Sequence, residues 1–224
     1  FARTIDWGDT WRGIRGASLP LLGAAAVVNI LSLVLKGARW WIFLRPIGIR
    51  SLWLAVRATF VGAGLNNLLI ASGGDAARVL FVARSESASS ARVLATLALE
   101  RLFELVGYVV LLAAAVSFLQ LPDALSRTRP FAMVSLAVIL GLLIYLVRYP
   151  AQAGTAVLEG EGLIHRARLY GTNLLRTLTG ISTGRRFAAS LAISVAVWIL
   201  QLITYQLTAR GAGFPITIVG TLAA

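Results

Sequence analysis

"GLNNLLIASGGDAARVL", residues 64–80, decides how this chain folds. Two adjacent amides (Asn66 and Asn67), two adjacent glycines (Gly73 and Gly74), and then Asp75 and Arg78 interrupt an otherwise apolar run. Only fifteen residues separate Arg57 from Gly73, fewer than the roughly twenty that span a hydrocarbon core. Gly73-Gly74 frees the backbone, and Asp75 is placed to cap a new short helix running to Arg84. The amino end of such a helix offers unpaired N–H groups and positive potential, a seat for a phosphate. Arg78, three residues further on, would add a two-pronged donor. Broken helices at bilayer depth occur where backbone lines a cavity. The plainer alternative is an interfacial loop followed by a capped helix.

The flanking sequence sets this break inside a membrane. The apolar fraction is 58% and the mean hydropathy +0.82, above the soluble norm of roughly half apolar. Five apolar segments stand out, at about 19–44, 52–71, 93–119, 131–147 and 187–208. They are continuous and rich in Ala and Leu, without the alternation of a barrel strand. The expected fold is therefore an all-α integral membrane protein, a polytopic helical bundle with a re-entrant or broken helix near 66–84. Residues 1–224 form a single transmembrane domain, with an interfacial helix over 154–183, where apolar residues at helical spacing alternate with basic ones. Phe1–Trp7 reads as the tail of a preceding span and "TIVGTLAA" as the start of another, so the chain is expected to be a portion of a longer protein.

Composition also excludes. There are no cysteines and one histidine, which argues against a disulfide framework or a zinc site. No serine, histidine and acid are arranged as a nucleophile with its base, no phosphate-loop pattern is present, and no cofactor or catalytic residue is expected. The net charge of +12 comes from 21 Lys and Arg against 9 acids. No basic aromatic module accompanies it, so the partner is anionic lipid and not nucleic acid. If all five segments cross, twelve Lys and Arg fall on one side and seven on the other, which favours the first as cytoplasmic.

Polar groups at bilayer depth cost several kcal/mol unless they find partners or water, and they gather in four places. Asn29, Ser32, Lys36 and Arg39 share a sector of about 80° on the first helix. They face either a wet cavity or, for Lys36 and Arg39, the interface beside Trp40 and Trp41. The second place is the opening stretch. In "LERLFEL", Glu100, Arg101 and Glu104 lie within about 100° of arc. Arg101 can pair with Glu104, leaving Glu100 to meet Arg39 or Arg78. This set is either a functional charge network or a structural one that pins helix packing. On the last helix Ser190, Ser194, Gln201, Tyr205 and Thr208 share about 60°, either as a secondary polar stripe or as helix–helix glue. The fourth segment has no such stripe and is assigned to the lipid-facing shell.

"LKGARWWIFLRPIGI", "GLNNLLIASGGDAARVLFVAR" and "ATLALERLFELVGYVVLL" resemble, in order and spacing, the lysylphosphatidylglycerol synthase transmembrane region, a flippase-like family of bacterial and archaeal membrane proteins. The resemblance spans roughly residues 5–215 and carries Arg39, Trp40, Asn66, Gly74, Asp75, Arg78, Glu100, Arg101 and Glu104. Ile70 stands where the family usually has proline, and Ser72 where it often has a basic residue. The resemblance implies movement of a phospholipid, or another anionic or aminoacylated lipid, between leaflets of the cell's inner membrane. Lys36, Arg39, Asn66, Asn67, Gly74, Asp75 and Arg78 are the expected headgroup ligands. The groove would be built from the first, second, third and fifth segments, with Glu100, Glu104 or Asp75 free to receive a cationic group. Compatible partners are membrane lipids, a lipid synthase or glycosyltransferase, and a second copy of the chain. Two rival readings remain: a membrane-embedded lipid transferase using Glu100 and Glu104, and a non-catalytic module that organises a synthase.

Overall fold

The computed structural model describes residues 16–68, 73–118 and 184–214, with scattered helical positions between 130 and 141. Every regular element among them is a helix. α1 runs Leu19–Leu44, α2 Leu52–Leu68, α3 Gly73–Ser85, α4 Ser90–Phe118 and α5 Gly184–Gly211. A single 3-10 turn, Arg45–Ile47, follows α1. Pro20 sits in the first turn of α1, where its missing N–H costs nothing. The turn after α1 closes on Gly48 at φ 97°, with Gly48 N donating to Arg45 O and Ile49 N to Leu44 O. That left-handed residue satisfies the last carbonyls and reverses the chain.

The contacts fix the helix directions. α2 returns against α1, with Gly37 so close to Val56 that a Cβ there would lie 2.7 Å from its Cα. α3 then folds back on α2: Asn66 meets Gly74, and Gly62 meets Gly74 and Arg78. α2 and α3 have 17 and 13 residues, or about 26 and 20 Å at 1.5 Å per residue. A hydrocarbon core is about 30 Å thick, so the pair is a helical hairpin that starts and finishes at one end of the bundle. α4 runs antiparallel to α1 and parallel to α5, with Phe103 against Phe187 and Tyr108 against Trp198. The start of α1 is tied to the end of α5 by Ser18 N donating to Gly211 O, 2.8 Å.

This topology changes the expected distribution of charge. With the hairpin folded back, the end of α1, the start of α2, the end of α3 and the starts of α4 and α5 share one end. Arg45, Arg50, Arg84, Arg92, Arg185 and Arg186 therefore gather there, and Arg210 sits at the other. The twelve-to-seven split required α2 to cross fully, and the hairpin removes that premise. The apolar core lies at the same end, where Trp40, Phe43, Leu44, Ile49, Val82 and Phe103 are almost wholly buried.

Two stretches among the described residues, Leu19–Ile47 and Arg185–Gly211, are long and apolar enough to cross a membrane. α4 is 29 residues long but carries Glu100, Arg101 and Glu104. Of the fourth apolar segment, the described Phe131, Met133, Val134 and Val138 are exposed. The remainder of that segment and the interfacial stretch 154–183 lie outside the described residues.

Lipid tails supply little hydrophobic drive between helices, so close packing of small residues has to hold them together. Gly74 is the sharpest case, since a Cβ on it would collide with the Gly62 carbonyl and the Asn66 amide. Gly64, on the same hairpin, has nothing within 4 Å of a built Cβ. Gly74→Ala should therefore lower the thermal midpoint in detergent, with overpacking costing about 1–3 kcal/mol. Gly64→Ala should leave it unchanged or raise it, because alanine is favoured over glycine by roughly 0.5–1 kcal/mol in a helix. Equal effects of the two substitutions would disprove the tight α2–α3 approach.

Candidate functional site

The helix crossing described above brings three separate helices to one cluster of charge. Glu100 of α4 is its centre. Its Oε1 accepts from Arg39 Nη2 of α1 at 3.3 Å, and its Oε2 from Arg78 Nη2 of α3 at 2.5 Å. All three side chains are at most 6% exposed. Both arginines expected as partners of Glu100 reach it, one through each oxygen. Glu104, one helical turn further on, accepts from Lys36 at 3.1 Å and from Arg101 at 2.7 Å. Asp75 takes Arg101 on one oxygen and faces Arg78 at 3.9 Å on the other. The result is a continuous chain of alternating charge across α1, α3 and α4.

Neutral groups fix this chain in place. Arg39 Nη1 donates to Ser194 Oγ of α5 at 2.9 Å, and Ser194 donates back to Ser190 O. The guanidinium of Arg78 lies over the Trp40 ring at 4.0 Å, a stacking that suits a planar cation. The Trp40 indole in turn donates to Thr96 Oγ1 at 3.0 Å. Trp198 of α5 donates to the Glu104 carbonyl at 2.8 Å. Among the described residues, the buried Arg39 Nε, Arg78 Nε and Ser190 Oγ have no hydrogen-bond partner.

A cavity of about 130 Å³ opens beside the network, lined by Leu33 and Lys36 of α1, Thr59, Gly62, Ala63 and Asn66 of α2, Asp75 and Arg78 of α3, and Glu100, Arg101 and Glu104 of α4. Arg101 is 50% exposed and marks the outer side. Counting residues from the arginine-rich end, Arg39 lies about 8 Å deep, Arg78 about 10 Å, Lys36 about 12 Å, Glu100 about 15 Å and Glu104 about 21 Å along their helices.

Several expected roles change. Asp75 does not cap the short helix: α3 already begins at Gly73, and Gly74 N donates to Asn66 Oδ1 at 2.9 Å. The amide arrives from the opposite arm of the hairpin, which leaves the Asp75 carboxylate to the arginines. The helix start expected to seat a phosphate is therefore partly occupied by Asn66, and Gly74 is buried behind it. Arg39 is fully buried behind Glu100 and does not line the cavity. Asn67 is exposed and lies off the cavity wall. Of the expected ligands, Lys36, Asn66, Asp75 and Arg78 line it, together with Glu100, Arg101 and Glu104.

The polar stripes divide in the same way. Lys36 and Arg39 do not snorkel, because both are held inward by carboxylates. Asn29 is exposed, and Ser32 donates to its carbonyl. On α5 the stripe splits: Ser190 and Ser194 are buried against the network, whereas Tyr205 is 62% exposed and Gln201 is only partly buried. Neither Gln201 nor Tyr205 lines the cavity, so α3 takes the place in its wall that the groove expectation gave to α5. Thr59, Gly62, Ala63 and Asn66 escaped notice as a set. Their spacing of i, i+3, i+4 and i+7 is that of one helix face, and it was legible as a small, polar strip on α2.

A family model described as the Lysylphosphatidylglycerol synthase TM region matches residues 1–224. No curated protein and no solved structure matches the chain. The family associates this all-α membrane protein with membrane lipids.

Removing the Glu100 charge leaves Arg39 buried without its counter-ion and Arg78 with Asp75 alone at 3.9 Å, a change of the kind that typically costs about 3–5 kcal/mol. Glu100→Gln should therefore lower the thermal midpoint in detergent far more than Glu86→Gln, which alters an exposed carboxylate in the α3–α4 link. Adding Arg39→Met to Glu100→Gln should recover part of the loss. Additive losses in the double variant would show that the two groups do not share one interaction.

Proposed function

The chain belongs to the lysylphosphatidylglycerol synthase TM region family, and we propose that it is a lipid translocase that carries a phospholipid headgroup between leaflets through the cavity bounded by α1 to α4. A bare headgroup cannot cross hydrocarbon, because each charge there costs several kcal/mol. A walled polar site at mid-depth replaces water for the headgroup while the acyl chains remain in lipid. The observation that carries this reading is the cavity itself. Eight of its lining residues are polar or charged side chains of the network and its α2 wall: Lys36, Thr59, Asn66, Asp75, Arg78, Glu100, Arg101 and Glu104.

The hairpin supports the same reading. Short helices that end at bilayer depth are the device by which transporters present polar groups to a substrate. Arg78 and Asp75 reach the cavity because α3 begins far from the arginine-rich end. That end is cytoplasmic by the excess of basic residues, in an inner membrane crossed several times. Arg101 and Asp75 form the half-open side of the wall, where a headgroup would enter with its tails outside.

The test is exchange of a tail-labelled fluorescent phospholipid in liposomes, read by quenching the label from outside. Reconstituted protein should expose label from the inner leaflet that empty liposomes protect. Arg78→Lys, which keeps the charge but loses the planar fork over Trp40, should slow that exchange by roughly tenfold, equivalent to about 1.4 kcal/mol of barrier. Exchange no faster than in empty liposomes, across phospholipids of different headgroup, would refute translocation.

A further inference from the structure

We infer that the cavity selects a headgroup with a single negative charge and no ammonium group, a monoanionic phosphodiester; this rests on the reading of the cavity as a lipid headgroup site. The charge count comes first. Among the described residues the network holds four cations, Lys36, Arg39, Arg78 and Arg101, against three carboxylates, Asp75, Glu100 and Glu104. One positive charge is left over, in surroundings where an uncompensated charge is costly. A singly charged anion neutralises it. A zwitterion leaves it as it stands, and a net cation adds to it.

The way the groups are paired sharpens the point. Every carboxylate already has two basic partners: Glu100 has Arg39 and Arg78, Glu104 has Lys36 and Arg101, and Asp75 has Arg101 and Arg78. An entering ammonium would have to displace one of them, and it would come to rest beside Lys36, Arg78 and Arg101. The spare capacity is all on the donor side. Lys36 carries three N–H donors and meets one carboxylate oxygen among the described residues. Lys36 lines the cavity beside Arg78. A phosphodiester has acceptors and no donors, so it complements these groups and competes with none of the carboxylates. The expectation that Glu100, Glu104 or Asp75 stands ready for a cationic headgroup is thus at odds with their pairing.

Binding and transport must be read separately, with the protein in nanodiscs for the first and in liposomes for the second. Short-chain lipids of one tail type, bearing phosphoglycerol, phosphocholine or lysyl-esterified phosphoglycerol, are titrated against thermal stability, alongside inorganic phosphate. The phosphoglycerol lipid should stabilise the protein at a concentration roughly tenfold lower than the others. Tail-labelled long-chain versions should exchange in the same order. Lys36→Gln should abolish the preference, and Lys36→Arg, which restores the charge, should retain it even where both substitutions lower stability. Equal stabilisation by the phosphocholine or lysyl-ester lipid would overturn the inference and leave translocation intact. Selective binding of phosphoglycerol lipid without exchange of any lipid would uphold the inference and remove translocation. Stabilisation by inorganic phosphate equal to that by the phosphoglycerol lipid would assign the site to a free anion and overturn the lipid assignment. Failure of every probe to bind would overturn the inference outright.

Discussion

One carboxylate organises the charged half of this molecule. Glu100 spends each of its oxygens on an arginine from a different helix, and both arginines are almost wholly buried. In a bilayer the energetics of such a group are all or nothing: satisfied, it joins α1, α3 and α4 firmly, and with a partner missing it leaves a charge that hydrocarbon cannot solvate. The geometry of the surrounding helices therefore has to be met to within hydrogen-bond distance. That requirement explains the glycines at the crossings. Gly37 lets α2 approach α1, and Gly74 lets α3 approach α2. With those approaches widened, Arg78 would stand back from the carboxylate.

Trp40 shows how the same constraint works through a neutral group. Its ring carries the Arg78 guanidinium on one face, and its N–H is held by Thr96 on α4. The indole therefore sets the depth of Arg78 relative to α4 independently of Glu100. Ser194 plays the corresponding part for Arg39 from α5. Each arginine is thus positioned twice, once by charge and once by a dipole or quadrupole. Such double positioning suits a site that must keep its shape while an anion comes and goes.

Much of the fold was legible because apolar runs and helix-ending residues are local signals. α1 occupies the run expected from 19 to 44, and the change of direction from α2 to α3 comes in the stretch of amides and glycines. The clustering of Glu100, Arg101 and Glu104 on one face also followed from the helical period, and so did the two arginines that could meet Glu100. What the period cannot supply is the partner's depth. It places Arg39 in a polar sector without saying whether that sector meets the cavity or sits behind a carboxylate, and here Glu100 stands between them. Nor can local chemistry reveal that a helix start will be capped from the opposite arm. Asp75 has the right character for a cap, but Asn66 reaches Gly74 N because the hairpin closes. The stripe on α5 divides for a similar reason: Ser194 lies where α5 meets Gly107 and Arg39, whereas Tyr205 lies beyond the end of that contact.

The hairpin and the charge network also explain one another. A helix that crossed the membrane in the direction of α2 would carry residues after Gly73 out at the far side, away from α4's middle. Folding back instead sends α3 alongside its own predecessor, so that Arg78 and Asp75 descend to the depth of Glu100 and Arg101. Asn66 turns in to Gly74 N and lines the charged cavity, and that cavity has its charged wall because α3 brings Arg78 and Asp75 back to α4. A break in the helix without the ion network would be merely unstable, and the ion network without the break would lack Arg78, whose guanidinium joins Glu100 and stacks on Trp40.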